Sequence, residues 1–425
     1  MSSPTIGFAG MTHLGLNSAV AGAERGFNMV CFDRDADIIA KLSNRLPPVD
    51  EPELTELMQK HKDRIFYTSD VSDLSGCDVV YVAPDIPTDD QGQSDLNPIM
   101  DLITFVDVGI PIEAVMVVLS QVPPGFSRRL NLRDGRAYYY QVETLIFGRA
   151  IERALYPERY IIGCDDPSQP LAAPYETFLK AHECPLLPMR YESAELAKIS
   201  INCCLVASIS VANTLAELCE NIGADWAEIV PALKLDRRIG QYSYLSPGLG
   251  IAGGNLERDL TTVCEFSDRL GTDAGVVKAW ISNSKYRKDW VLRSLHTKVF
   301  PHIKKPNIAV LGLAYKENTH STKNSPSLLL LKNLTDFNVS VYDPLVPATV
   351  VKEFTPKQAV DAESTCDDAD VLAIMTPWPV FRDLNPADLL ARMRSNIIID
   401  PYKVLDGDKC RMAGARYITM GVKDL

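Results

Sequence analysis

Two rhythms of apolar residues alternate along the chain. Short, nearly continuous apolar runs occur as TIGFAG, NMVCF, DVVYVAP and AVMVVLS in the first third, and as NIAVLG, VSVYDP, DVLAIMTP and NIIIDPY in the last. Runs of this kind, each stopped by a polar or proline-rich turn, are expected of parallel strands buried on both faces. Segments with helical spacing, such as LGLNSAVAGAERG and SPSLLLLKNL, lie between them. The alternation predicts two parallel sheets. From Tyr191 onward YESAELAKISINCCLVASISVANTLAELCENIGA reads as one long amphipathic helix. Its apolar or small-residue stripe of Ala194, Ile201, Leu205, Ser208 and Ala212 is interrupted by Lys198 and Asn202. Residues four apart share a helix face, so these two polar ends converge. Taken alone, Lys198 is a lysine snorkelling at the rim of a buried helix.

A length of 425 residues with 46% hydrophobic content is too much for one core. The breaks in pattern place domains at 1–190, 191–298 and 299–425. The net charge of −12 argues against nucleic acid or an anionic membrane as partner. Ten cysteines are scattered, without CxxC pairs or closely spaced Cys/His sets. This pattern predicts reduced thiols, no disulfide framework and no metal site. A strand pattern begins almost at once, without a signal-like apolar core, and no stretch has the roughly 18 to 20 uninterrupted apolar residues of a membrane span. A soluble, cytoplasmic protein is expected.

The first candidate chemistry is the turn Gly10-Met11-Thr12-His13-Leu14-Gly15 between TIGFA and the first helix, with Asp33 following the second strand. Such a turn lets backbone approach a pyrophosphate at a helix start, while the acid holds a ribose. Thr12 replaces the middle glycine, and a side chain there is expected to crowd the phosphates or displace them. The alternative is a doubly wound domain that kept its turn and lost its ligand.

Further along, the pieces resemble the UDP-glucose/GDP-mannose dehydrogenase family, whose members oxidise the C6 alcohol of a nucleotide sugar with NAD. The resemblance is carried by Glu51-Pro52-Glu53-Leu54, by the turn Ala83-Pro84-Asp85-Ile86-Pro87-Thr88, and by Ser120-Gln121-Val122-Pro123-Pro124-Gly125. A segment around Glu143 and Gly148 is similar to the family's catalytic-glutamate stretch, with Phe147 in place of a second glutamate and Pro157-Glu158-Arg159 before the last strand of the domain. The long helix resembles ESAExxKxxxN, the loop from Pro247 to Asp259 resembles PGxGxGGxCxxxD, and GLAYKENTHSTKNSP resembles GLAFKPNTDDxRESP. Asn255 stands at the family's nucleophilic cysteine, Gln121 at a threonine, Lys323 and Tyr402 at arginines, and His320 at an aspartate.

The resemblance implies an α/β protein of two Rossmann-like, doubly wound parallel-sheet domains joined by a long central helix, with the active site in the cleft between them. It implies NAD on Gly10, Thr12, His13, Leu14, Gly15, Asp33, Pro84, Ser120, Gln121 and Lys323. Catalytic roles fall to Lys198, Asn202, Asp259, Asn255 and Glu143, and sugar-nucleotide contacts to Arg238, Gly250, Gly253 and Lys316. A homodimer is the implied assembly. A thiolate at position 255 would form a thiohemiacetal with the C6 aldehyde, and an amide cannot. The expectation is therefore an NAD-dependent oxidoreductase on a CH–OH of a nucleotide sugar, UDP-sugar favoured, that stops at the carbonyl. Alternatives are a four-electron dehydrogenase without covalent catalysis, a redox-neutral epimerase, and a catalytically silent nucleotide-sugar-binding protein.

Overall fold

The computed structural model describes residues 3–87, 89 and 94–424, so Thr88 of the turn motif lies outside the described residues. The contacts divide the chain into two compact units, the first running to Ile201 and the second from Asn202 onward.

In the first unit eight strands form one sheet: β1 Thr5–Ala9, β2 Asn28–Phe32, β3 Ile65–Thr68, β4 Val79–Val82, β5 Val115–Val118, β6 Tyr138–Gln141, β7 Tyr160–Cys164 and β8 Leu186–Arg190. Their order is β3-β2-β1-β4-β5-β6-β7-β8. Every pairing is parallel except β6 with β7. The central strands VVYV and VMVV are buried at every position, as expected of strands covered on both faces. β4 stops at Val82, two residues short of the end of the run DVVYVAP, because Pro84 has no N–H to continue the ladder. The sequence reading closed this sheet at β7, but β8 follows it. β8 carries Pro188 and an exposed-leaning pattern, features of an edge strand rather than of a buried run.

The second unit repeats the plan with β9 Ile308–Leu311, β10 Val339–Tyr342, β11 Lys357–Gln358, β12 Val371–Ile374, β13 Ile397–Ile399 and β14 Arg416–Ile418. The order is β11-β10-β9-β12-β13-β14, all parallel. Gly312 ends β9 at φ +95° as Gly10 follows β1 at φ +99°. The acid after the second strand differs between the repeats. Asp343 is 8% exposed and accepts from the amides of Leu313, Ala314, Leu345 and Val346 and from Trp378 Nε1. A carboxylate so fully used has no capacity left for a ribose.

The long helix is Tyr191–Ile222, continuous as read from sequence. It ends before Gly223, whose φ of +81° is the left-handed turn that stops helices. By length and composition it is the one described helix apolar enough to cross a membrane. In the first unit Ala194 and Tyr191 join the core beside β5 and β6; in the second, Val206, Ala212 and Ala216 are buried.

Candidate active site

In the first unit the glycine turn is built by close approach. A side chain on Gly10 would begin 2.8 Å from Pro84 N, and one on Gly15 would begin 1.9 Å from the Gly10 carbonyl oxygen. Met11 N donates to Asp33 Oδ2 at 2.7 Å and Asp35 N to Oδ1 at 3.0 Å, which fixes Asp33 at the end of β2. Each carboxylate oxygen retains a second lone pair for a ribose hydroxyl. Thr12 is the N-cap of helix His13–Glu24 yet makes no capping bond. Its hydroxyl turns to the end of β4, accepting from Asp85 N at 3.0 Å and approaching the Ala83 carbonyl at 3.4 Å.

The remaining cofactor candidates frame this helix start. Leu14 is buried beneath it. His13 is buried, with Nε2 2.8 Å from Glu51 Oε1 and its ring stacked on Phe147 at 3.9 Å. Glu51 also accepts from the amides of Gly148 and Ala150. Ser120 donates its hydroxyl to the Pro84 carbonyl, tying the turn after β5 to the turn after β4, and Gln121 follows it half-buried. A glycine cradle, a helix start that Thr12 leaves without a capping bond and an acid with spare lone pairs together fit a dinucleotide.

Lys198 and Glu143 meet directly. Lys198 Nζ lies 2.9 Å from Glu143 Oε1 and donates to the Glu143 carbonyl at 3.1 Å, with the two side chains only 15% and 16% exposed. Leu145 N donates to the other carboxylate oxygen at 3.1 Å. One turn earlier on the helix, Glu195 is fully buried and accepts from the amides of Gly125 and Ser127. Burial pushes its carboxyl up. The sequence reading quoted Glu195 within a motif without assigning it a task. The available signal was its spacing, three residues before Lys198 and seven before Asn202 on one side of the helix, where an unpaired charge is costly.

In the second unit Asn202 donates through Nδ2 to Asp259 Oδ2, and Arg258 Nε lies 3.4 Å from Asp259 Oδ1. Asn202, Arg258 and Asp259 are all buried. Asn255 is the first residue of helix Asn255–Leu270, whose N-cap Gly254 makes no side-chain bond. Lys323, which resemblance assigned to the cofactor, lies in this unit with Nζ 3.5 Å from where a Gly254 side chain would begin.

The glycine-rich loop before the helix is pinned rather than loose. Gly248 N donates to Asn213 Oδ1, Ile251 N to Ser284 Oγ, and Gly253 N to the Lys323 carbonyl. At Gly250, φ +75°, a side chain would strike the Ser284 carbonyl at 2.4 Å; at Gly253, φ +82°, it would meet the Tyr315 ring at 2.9 Å. Lys316 stands 5.8 Å from that ring. Arg238 is apart from this cluster, on an exposed turn with its guanidinium on Asp236 at 2.6 Å.

Two cysteines lie on the helices that carry Asn202 and Asn255. Cys203 follows Asn202 and packs with Cys264 against Val206, Ile251 and Leu260. Burial, then the charge of Asp259, pushes the Cys203 thiol up to about 11, and burial raises Cys264 as well. At neutral pH both are thiols, and the thiolate is the nucleophile.

Comparison with known proteins gives a consistent picture over the whole length. Residues 4–178 match the NAD binding domain of the UDP-glucose/GDP-mannose dehydrogenase family, 192–285 its central domain, and 309–407 its UDP binding domain. The UDP-glucose 6-dehydrogenase of Rickettsia conorii is 29% identical over 436 aligned residues, covering 98% of this chain and 99% of the relative. The UDP-glucose 6-dehydrogenase TuaD of Bacillus subtilis is 28% identical, covering 98% and 93%. Among solved structures, a UDP-glucose dehydrogenase from Pyrobaculum islandicum superimposes with a TM-score of 0.84 at 26% identity, covering 98% of this chain and 97% of that one.

Proposed function

From the premise that the chain belongs to the UDP-glucose/GDP-mannose dehydrogenase family and is an NAD-dependent oxidoreductase, we propose that it oxidises one alcohol carbon of a UDP-sugar and releases the carbonyl. The observation that carries this reading is Asn255 at the head of helix Asn255–Leu270, where the resemblance aligns the family's cysteine, while Cys203, after Asn202, and Cys264, nine residues beyond Asn255, are held as thiols. An amide forms no thiohemiacetal, so the second oxidation loses its covalent route.

Bound NAD supplies the hydride acceptor. The alcohol carbon loses that hydride and its oxygen loses a proton, so charge develops on the oxygen. Lys198 has three N–H donors, of which the described contacts use two on Glu143, leaving one to stabilise that oxygen. Glu143 holds the ammonium in place and contacts sugar or water. Asp259, fixed by Asn202 and Arg258, takes the proton through water. Asn255 donates to the sugar oxygen, and Arg238, Gly250, Gly253 and Lys316 serve the sugar nucleotide. Gly10, Thr12, His13, Leu14, Gly15, Asp33, Pro84, Ser120, Gln121 and Lys323 serve the cofactor.

The working division of labour is 1–190 for NAD, 191–298 for catalysis and dimerisation, and 299–425 for UDP. A second copy of the chain suits the exposed stripe of Val211, Leu215, Leu218 and Ile222 on the long helix. The setting proposed is the cytoplasm, without nucleic acid or membrane partners.

A second reading, the four-electron dehydrogenase that oxidises the aldehyde hydrate directly, is favoured by the near-full-length match to UDP-glucose 6-dehydrogenases. Incubating the protein with NAD and UDP-, GDP- and dTDP-sugars, with products identified by mass, separates the two. An aldehyde or ketone supports the shortened reaction and a uronate the full one. An isomer without net NADH marks an epimerase, and sugar-nucleotide binding without turnover marks a silent binder.

A further inference from the structure

The turn after β4 places a carboxylate where the glycine turn prepares a seat for phosphate. Asp85 N is 3.0 Å from Thr12 Oγ1, so Asp85 is held against the first turn of helix His13–Glu24. Its carboxylate faces the Thr12 hydroxyl and the His13 amide, one of the first N–H groups of that twelve-residue helix. The amide is a group that a dinucleotide pyrophosphate draws on in a fold of this plan. An internal anion and a pyrophosphate on one helix start repel each other.

Other charges meet here. His13 faces Asp85 from the helix, backed by Glu51 at 2.8 Å. Glu143 faces it from the segment after β6, backed by Lys198. Glu51 is engaged by the His13 ring and Glu143 by the Lys198 ammonium, and Thr12 contributes only a hydroxyl.

We propose that Asp85 is a proton-linked positioning residue for the cofactor: it must be neutral for the pyrophosphate to settle on the helix start, so NAD and NADH bind with uptake of one proton at its carboxyl. The inference rests on the cofactor reading above. Asp85 is exposed as a residue, so the turn strips water from its carboxyl only in part, yet this desolvation is the largest influence and raises the carboxyl above the ordinary range, against His13, Thr12 and the His13 amide, which lower it; Glu143 adds a smaller upward push. The shift is toward the neutral form, and a neutral carboxyl can itself donate to a phosphate oxygen. Because the bound form holds the extra proton, affinity is highest at low pH and falls as pH rises through the Asp85 pKa of the free protein.

The test is calorimetric titration of the full chain with NADH in two buffers of different ionisation enthalpy, between about pH 6 and 9, where linkage is read directly. Wild-type protein, Asp85→Asn, Asp85→Ser and His13→Gln are compared. The wild type takes up close to one proton at the pH where its affinity is falling, by up to about tenfold per pH unit. Both Asp85 variants bind NADH with proton uptake near zero and a flat affinity, tighter than wild type at the alkaline end. Wild-type uptake retained in both Asp85 variants, or abolished in His13→Gln instead, overturns the proposal, since His13 protonation has the same sign. Absence of NADH binding by all four proteins overturns the cofactor reading and this inference with it.

Discussion

Lys198 Nζ lies 2.9 Å from Glu143 Oε1 and 3.1 Å from the Glu143 backbone oxygen, so one residue holds the ammonium by both side chain and main chain. The geometry leaves little freedom for the cation. Lys198→Ala is expected to lower kcat by on the order of 10² to 10³ with little change in KM, the pattern of a group that acts on developing charge. Glu143→Gln keeps the carbonyl contact but removes the charge, and a smaller fall in kcat, about tenfold to a hundredfold, is expected. Steady-state kinetics on the accepted nucleotide sugar decide this. A Lys198→Ala enzyme with unchanged kcat rules out the assigned role.

Asn255 opens a sixteen-residue helix with no side chain capping its N-terminus and Lys323 near Gly254. That setting lowers the pKa of a thiol. Asn255→Cys is therefore expected to gain reactivity toward alkylating agents at neutral pH and to make a uronate product detectable by mass. A variant thiol that alkylates no faster than Cys203, held up to about 11 by burial and Asp259, speaks against the helix-start argument.

Arg287 is fully buried, with Nη1 3.0 Å from Glu217 Oε2 and Nη2 donating to Met420 Sδ at 3.2 Å. Burial lowers its pKa, and Glu217 and Glu220 oppose that fall. Glu217→Ala strands the guanidinium, and a loss of about 3 kcal/mol is expected by denaturant unfolding, with the pair Glu217→Leu/Arg287→Met recovering most of it. Equal loss in the single and double variants contradicts this account.

His182 is buried in the first unit, and desolvation lowers its pKa to about 4. The unfolded chain then binds more protons than the folded one below about pH 6.5, so stability is full above that value and lost as pH falls toward 4. The shift corresponds to about 3 kcal/mol at the acid end. In His182→Phe this part of the acid destabilisation is absent. An unfolding curve whose pH dependence between about 6.5 and 4 is unaltered by the substitution refutes the assignment.

The sheets and the long helix were legible because continuous apolar runs and helical periodicity are local signals. VVYV and VMVV announce buried strands by themselves, whereas β8, with Pro188, and the two-residue β11 are edge strands without a continuous apolar run to mark them. Of the site, Lys198 with Asn202 was visible through helix spacing, and Asp33 through its distance from Gly10. The partner of Lys198 lies 55 residues away, and that of Asn202 lies 57 away, so only folding reveals them. The orientation of Thr12 was equally hidden. Sequence suggests a side chain intruding on phosphates, but a hydrogen bond from Asp85 N turns the hydroxyl aside.

The number of hydrides that leave each sugar separates the shortened oxidation from the full one. The most direct measurement is the ratio of NADH formed to nucleotide sugar consumed, taken to completion with purified protein and followed by mass analysis of the product. One NADH per sugar and a carbonyl product are expected. Two NADH per sugar with a uronate would show that Asn255 does not block the second oxidation, and would contradict the shortened reaction.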